Sequence, residues 1–438
     1  MKHAASRLET ISDKKHLKAA WNSLKRNKLS KGIDRITIQQ FKSELDSNLQ
    51  SISDELRSKS GYKFSKVRGV AIPKEFTGKK RPIRIATVRD RVVQKAIELN
   101  IHPLLEEKYG VDNKVSYAYI KDKGLLKAVS RVSKFISEGN NVCYKGDIKD
   151  FFGTIKRDKL LNEMVFPALG TDTSLNRLIE DSLTQELGNI KALRKKHGTK
   201  EFSELFPDLE YGIPQGAILS PLFSNIYLKD FDKALSKFNL VRYADDFVIL
   251  CKNFESALES DKIARVEAQK LDLEIYPLQA RTVLKLKRYK SKSYVCESND
   301  FEFLGMHFKN QKLYPSTGAF KKTGSKIRSV LKDKKYAGRS LGYKLATLER
   351  ICASWASTYW FTSVDKVMKS GYYNLNQAYT NTIESIIEQF GLSFKHPYRR
   401  FDKKLKALGL SKFETKLQTS KDKVLANPAK KDLKDLFF

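Results

Sequence analysis

Apolar residues recur at three- and four-residue spacing through residues 15 to 60, with Leu17, Ala20, Trp21 and Leu24 on one side, and this spacing predicts helices. The pattern then switches: VRGVAIPKEFTGKKRPIRIATV (67 to 88) reads as two strands about a Gly/Lys turn at Thr77 to Lys80. Helical periodicity returns from about 89 to 107 and from 123 to 138. NVCYKGDIKDFF is a strand running into a turn, followed by helices to about 187, and IKALRKKHGTKEF (190 to 202) reads as a basic surface insertion. YGIPQGAILSPLFSNIYLKDF is a Gly/Pro loop opening a helix. In LVRYADDFVILCK, apolar runs flank an acidic pair, which predicts a hairpin with Asp245 and Asp246 at its tip. A helix near 254 to 271 and strands through FEFLGMHF close this α+β block. Beyond residue 320 the pattern is helical and basic, with Leu345, Leu348, Cys352, Trp355 and Tyr359 on one helix face. From Phe401 lysines alternate with lone apolar residues, which predicts weakly packed helices or partial disorder.

Composition narrows what such a chain does. Its 438 residues suggest two or three subdomains, and 41% hydrophobic residues supply a real core. Lys plus Arg number 83 against 50 Asp plus Glu, a formal charge of +33, and the basic residues are spread through the folded regions. That excess points to a polyanionic partner, nucleic acid above acidic lipid. Cys143, Cys251, Cys296 and Cys352 stand far apart with no CxxC pair, which argues against a zinc module or a disulfide framework. The start has no apolar signal core and no run reaches the roughly 18 residues of a membrane span, so a soluble, cytoplasmic protein is expected.

Against that background, acids at strand ends suggest a divalent cation. Asp147 closes one strand, and Asp245 and Asp246 sit at a second turn. An isolated Asp-Asp pair more often caps a turn. Carboxylates on separate strands instead suit hard Mg²⁺, which takes one or two protein carboxylates and leaves room for water and phosphate oxygens. Two such ions can serve an in-line phosphoryl transfer, one activating the attacking hydroxyl and the other stabilising the leaving oxygen.

The company this pair keeps resembles the reverse transcriptases of the bacterial group II intron type. YADD (243 to 246) resembles their catalytic signature. In order along the chain, GIDRIT (32 to 37), RPIRIATVRDRVVQKAI (81 to 97), DIKDFFGTIKRDKL (147 to 160), GIPQGAILSPLFSNIYL (212 to 228), FLG (303 to 305) and SWASTYW (354 to 360) resemble their other blocks. The resemblance covers about residues 15 to 365 and is greatest to the unknown-group, defense-associated (antiphage) members.

It implies a right-hand polymerase: an N-terminal helical extension (1–66), fingers and palm with an antiparallel sheet (67–308), a helical thumb (309–400) and a basic tail (401–438). It implies Asp147, Asp245 and Asp246 as the metal-binding carboxylates, with the backbone carbonyl of Ile148 as a further ligand to two Mg²⁺ ions, Mn²⁺ being a substitute. Phe152 matches the aromatic steric gate that excludes a 2′-hydroxyl, and Phe151 or Phe152 is also read as core. Gln215 and Gly216 are expected at the incoming nucleotide, Lys74 and Arg81 at its triphosphate, and Tyr243 and Ala244 near the primer terminus. Phe303, Leu304 and Gly305 match the primer-grip strand, and Lys321, Lys322, Lys326 and Arg328 are expected to line a thumb against phosphates. Trp355 reads as thumb core, with Trp360 left open between core and base stacking.

Two departures qualify the likeness. The family often shows GFRP where this chain has SYAYIKDKG (116 to 124), with Ala118 and no Arg-Pro, and the stretch from Phe166 to Tyr211 is long. The chain also ends without the Cys/His pattern of a nuclease domain. The expected activity is RNA-directed DNA synthesis from dNTPs, copying an RNA template, expected to be a partner non-coding RNA, into a DNA product in antiviral defense. A group II intron maturase, or a structured-RNA-binding protein without catalysis, stand as alternatives. A homo-oligomer is among the partners considered.

Overall fold

The computed structural model describes residues 7–24, 31–74, 78–170, 173–207, 211–279, 293–363, 369–391, 405, 410 and 412–427. The chain divides into two units. The first comprises Met1–Gly124, Lys145–Ile249 and Leu258–Tyr294; the second comprises Leu125–Tyr144, Leu250–Ala257 and Val295–Phe438.

In the first unit the expected N-terminal helicity resolves into Arg7–Ser12, Lys14–Ser23, Ile38–Ser43 and Leu45–Arg57. Asp13 starts the second of these by accepting from the backbone N–H groups of Lys15 and His16, satisfying donors that a helix start leaves open. Thr37 and Gln40 form a reciprocal capping box at the third. Leu17, Ala20 and Trp21 are buried, with Trp21 stacked on Phe41 at 5.3 Å. These helices lie against the long helix Val88–Tyr109, where His16 Nε2 meets the Ala96 carbonyl at 2.8 Å.

The two predicted strands are β1 (Arg68–Pro73) and β2 (Lys80–Ile85), an antiparallel ribbon in which Ile72 faces Arg81. Lys74 N donates to Lys79 O at 2.6 Å to close it, and Thr77 of the predicted turn lies outside the described residues. The expected surface insertion differs from its prediction. Residues Ile190–His197 and Thr199–Leu205 are helices whose Leu193 and Phe202, with Phe206 just beyond, are buried against Val67, Ala71 and Ala86. Asn189 grips both backbone groups of Gly69, at 2.8 and 3.0 Å, as a neighbouring strand would. Basic residues dominate the exposed face, so the sequence signal of a solvated segment hid a docked one.

A five-stranded sheet carries the acidic residues. Its strands are β3 (Val142–Asp147), β4 (Asn239–Tyr243), β5 (Asp246–Cys251), β6 (Leu278–Gln279) and β7 (Ser293–Glu297), in the order β4-β5-β3-β7-β6. β3 is central, and five of its six residues are buried, as a strand covered on both faces requires.

In the second unit β8 (Asp300–Phe303), β9 (Met306–Lys309) and β10 (Lys312–Pro315) form an antiparallel meander. Both its turns, Leu304-Gly305 and Asn310-Gln311, hold two residues at positive φ, the geometry that matches tight hairpins to strand twist. Helices Thr317–Lys332, Leu341–Tyr359 and Lys369–Gln389 follow, the first two capped by Ser316 and Ser340. Their core centres on Trp355, ringed by Phe320, Tyr359, Tyr372 and Phe413 at 5.0 to 5.8 Å between centroids. Trp360 is also buried, edge-on to Phe361. The tail, expected to be weakly packed, includes the helix Phe413–Ala426, whose Phe413 and Leu417 are buried in this cluster. Asn376 fixes its start by accepting from Phe413 N at 3.1 Å.

Candidate active site

The site grows from the end of β3. Gly146 precedes Asp147 because a Cβ there would stand 2.2 Å from the ring of Phe247, so only glycine lets β5 lie close across β3. Phe247 is in turn held edge-on by Phe231 at 5.4 Å. The chain beyond Asp147 is clamped on both sides. Ile148 N donates to Asp245 O at 3.2 Å, while Tyr276 N donates to Asp147 O and Lys149 N to Glu274 O. The backbone thereby ties the first acid to the second acidic turn.

That turn is the predicted hairpin, shifted by one residue: Ala244 and Asp245 link β4 to β5, and Asp246, expected at the tip, opens β5. Ala244 is at φ 60°, a left-handed conformation that costs a non-glycine residue free energy. What holds it is a buried cation that motif reading missed. Arg242, 0% exposed, donates to both oxygens of buried Asp232 at 2.6 and 2.5 Å, to Asn225 Oδ1, and to the Ala244 carbonyl at 3.1 Å. The available signal was a charged residue inside the apolar run LVRYADDFVIL, where a strand of a buried sheet has no place for one without partners.

Electrostatics mark the acids as one cluster. Burial, with Asp147 and Asp245 nearby, pushes the Asp246 carboxyl up to about 6, while Lys145 opposes the shift. Lys145 Nζ pairs with Asp246 Oδ1 at 3.6 Å, just beyond hydrogen-bond distance of that buried oxygen. A fourth acid, Asp150, escaped the sequence reading. It too is raised, first by burial and also by Asp245, with Lys74 and Lys79 favouring its charged form. Its signal was proximity in DIKD, obscured because Asp147 already filled the motif. Tyr119 is raised by burial, then by Asp245 and Tyr243, with Arg81 opposing. Lys74 and Arg81, both exposed on the ribbon, therefore act on the same acidic region.

The two phenylalanines separate. Phe151 is 2% exposed and belongs to the core, whereas Phe152 is half-buried beside it, edge-on at 5.6 Å. The Gly/Pro loop is seated on the same segment: Gly212 N donates to Ile155 O and Ile213 N to Phe152 O, both at 2.9 Å. Gln215 is half-buried and its carbonyl accepts from Arg84 N at 2.8 Å. Gly216, at φ 113°, admits a close approach, but the neighbour is β2: a Cβ there would lie 2.6 Å from the Arg84 carbonyl.

Elsewhere the expected contacts divide. Phe303 is 1% exposed, so its ring is core and cannot meet a nucleic acid, which leaves Leu304 and Gly305 at the turn. Lys321, Lys322, Lys326 and Arg328 are carried by one helix of the second unit, where Lys321, Lys322 and Lys326 lie among its polar positions. Ala118 is fully buried and its carbonyl accepts from Asn225 Nδ2 at 3.0 Å, while Tyr117 N donates to Arg242 O at 2.9 Å, so the start of the departing segment SYAYIKDKG is tied to the strand that carries Arg242.

The donor set decides which ion fits. Among the described residues no three acidic, His or Cys side chains close into a ready cage. An open set of carboxylates, one with an unsatisfied buried oxygen, suits a hard cation that keeps part of its water shell. It does not suit zinc, which seeks a tetrahedral nitrogen and sulfur set.

A central strand ending in an acid, beside a hairpin with an acid in its turn, fits the palm that the resemblance implies for a right-hand polymerase. The comparisons with known proteins fix the family within that class. The reverse transcriptase (RNA-dependent DNA polymerase) family matches residues 72–308, and the chain belongs to it. Protein YkfC of Escherichia coli is 26% identical over 270 residues, covering 52% of this chain and 65% of that protein. The putative COX1/OXI3 intron 2 protein of Saccharomyces cerevisiae is 28% identical over 52% of this chain and 24% of its own length. Group II intron-encoded protein LtrA of Lactococcus lactis is 28% identical over 49% of this chain and 32% of its own. The chain thus spans less than two thirds of each of these relatives. Apo telomerase from Candida tropicalis is similar at a TM-score of 0.38 and 13% identity, over 92% of this chain and 74% of that one, a likeness too distant to carry an argument.

Proposed function

We propose that this chain is an RNA-directed DNA polymerase using two Mg²⁺ ions, for which Mn²⁺ can substitute. The observation that supports the reading is the bond from Ile148 N to Asp245 O at 3.2 Å, which ties the strand end at Asp147 to the acidic turn, with Asp147 and Asp245 both raising the Asp246 carboxyl. Asp147 and Asp245 would hold the ions directly, with the carbonyl of Ile148 as a further ligand and Asp246 in support. The cations would neutralise adjacent carboxylates and lower the barrier to attack on the α-phosphate by activating the primer hydroxyl and stabilising the leaving oxygen. The protein's own part is placement. Phe152 lies against the sugar and excludes a 2′-hydroxyl, Gln215 and Gly216 face the nascent pair, and Lys74 and Arg81 hold the triphosphate. Tyr243 and Ala244 meet the primer end. The lysines and arginine of helix Thr317–Lys332 neutralise phosphates of the duplex.

For the biological role we propose the copying of a partner non-coding RNA in antiviral defense. The departure at SYAYIKDKG, with Ala118 and no Arg-Pro, supports a role distinct from intron splicing. The second reading, intron mobility or splicing, is favoured by the likeness to intron-encoded proteins. Sequencing the RNA and DNA that copurify with the chain separates them. A flanking intron RNA would overturn the defense role, and a discrete non-intron RNA with its complementary DNA would support it.

A further inference from the structure

A buried amide network underlies the Gly/Pro loop, and its centre, Gln94, falls in the block RPIRIATVRDRVVQKAI without having been assigned a role from the sequence. Gln94 lies on the long helix Val88–Tyr109 and is 0% exposed. Its Oε1 accepts from the backbone N–H of Ile218 at 3.1 Å, three residues beyond Gln215. Its Nε2 donates to Gln185 Oε1 at 2.9 Å and approaches the Ser182 carbonyl at 3.4 Å. Gln185 is itself oriented, donating to Ser65 O at 2.7 Å and to Asp90 Oδ2 at 3.3 Å. Asp90, also 0% exposed, accepts from Tyr62 Oη at 2.8 Å and from Ser65 N at 3.2 Å.

Each amide therefore has one usable orientation: Gln185 must present oxygen to Gln94, and Gln94 must then present oxygen to Ile218. An apolar side chain at position 94 would remove the protein acceptor of the half-buried Ile218 N–H, a loss the loop makes good only by moving toward another acceptor or water. The rest of the loop is held by groups that cannot replace this one. Arg84 N supports the Gln215 carbonyl at 2.8 Å and Ser220 Oγ the Pro214 carbonyl at 2.8 Å. Neither of these reaches Ile218.

We infer that Gln94 is a positioning residue for nucleotide selection: through Ile218 it sets where Gln215 and Gly216 stand, with Gln185 and Asp90 fixing its orientation. This rests on the reading of Gln215 as a nucleotide contact. Binding that is lost equally in ground and transition states raises KM and spares kcat.

The test is steady-state dNTP incorporation on an RNA template by the full chain carrying Gln94→Met, Gln215→Ala, or both. Gln94→Met is expected to raise the KM for dNTP about tenfold with kcat changed less than about threefold. The double variant is expected to be no worse than Gln215→Ala alone, because both act at one contact. Gln94→Glu adds a signature that general loosening would not give. It keeps the acceptor for Ile218 and, while protonated, the donor to Gln185, so its KM should recover as pH falls. The titratable and charged groups facing the network are Asp90, reached through Gln185, Tyr62, which donates to Asp90, and Arg84, whose guanidinium approaches the Gln185 carbonyl at 3.4 Å, and all three are unchanged in these variants. If Gln215→Ala leaves KM unchanged, the reading of the site fails. If Gln215→Ala raises KM but the effects of the two substitutions multiply in full, or Gln94→Glu shows the native pH profile, the positioning role is overturned. Should Gln94→Met not fold, the pH profile of Gln94→Glu decides alone.

Discussion

Asp246 is the residue whose environment is most visibly matched to a cation. Its folded pKa, pushed up to about 6 by burial and by Asp147 and Asp245, lies above the roughly 3.9 of a free aspartate. In a chelator the folded chain therefore binds this proton more tightly than the unfolded chain does. The stability from this group is full below the unfolded value and is lost as pH rises through about 6. Thermal melts of metal-free protein across roughly pH 4 to 7 should show that slope, and Asp246→Asn should remove its share of it. Adding Mg²⁺ should raise the melting temperature most above the same pH, where the carboxyl is charged. At the neighbouring position, Phe152→Ala should raise the use of NTP relative to dNTP by about tenfold or more, read by competing the two on one template. The acids and Phe152 were legible because they fall at motif spacing. Asp150 was hidden behind the acid that already filled its motif. Gln94 and Arg242 were not legible, because their roles come from partners brought to them by the fold.

Within the elements, the hairpin β4–β5 depends on its buried support. Asp232→Ala would leave the Arg242 guanidinium uncompensated in the interior and should cost about 3–5 kcal/mol, measured by denaturant unfolding. Gly146→Ala should displace Phe247 and cost about 1–3 kcal/mol by overpacking. Both strands and hairpin were readable from alternation and from apolar runs around YADD. The helices at 190–205 were not readable as a docked element, since surface charge says nothing of the two or three apolar residues that seat it. Leu193 stands nine residues before Phe202, and only the ribbon beneath shows that it, Phe202 and Phe206 share one seat. The helix Phe413–Ala426 was obscured in the same way: its lysines set its composition, while Phe413 and Leu417 determine where it sits.

Across the whole molecule, a charge of +33 accompanies a small acidic site, and each has its own role. In the proposed function the basic residues hold the polyanion, and the acids gather the cations that act on it. RNA affinity should fall steeply with salt. Replacing Lys321, Lys322, Lys326 and Arg328 together by Ala should flatten the log–log slope by about one for each phosphate no longer neutralised, read by binding titrations at several salt concentrations. The basic composition made a nucleic-acid partner legible at once, but charge alone does not distinguish polymer synthesis from binding. The family match and the coupled acids make that distinction a matter for one assay. Purified chain should be given an RNA template, a primer, Mg²⁺ and either dNTPs or NTPs, alongside Asp245→Asn. The account predicts template-dependent DNA synthesis from dNTPs, little from NTPs, and a loss on the order of 10³-fold in the variant. Preference for NTPs, or equal synthesis by the variant, would contradict it.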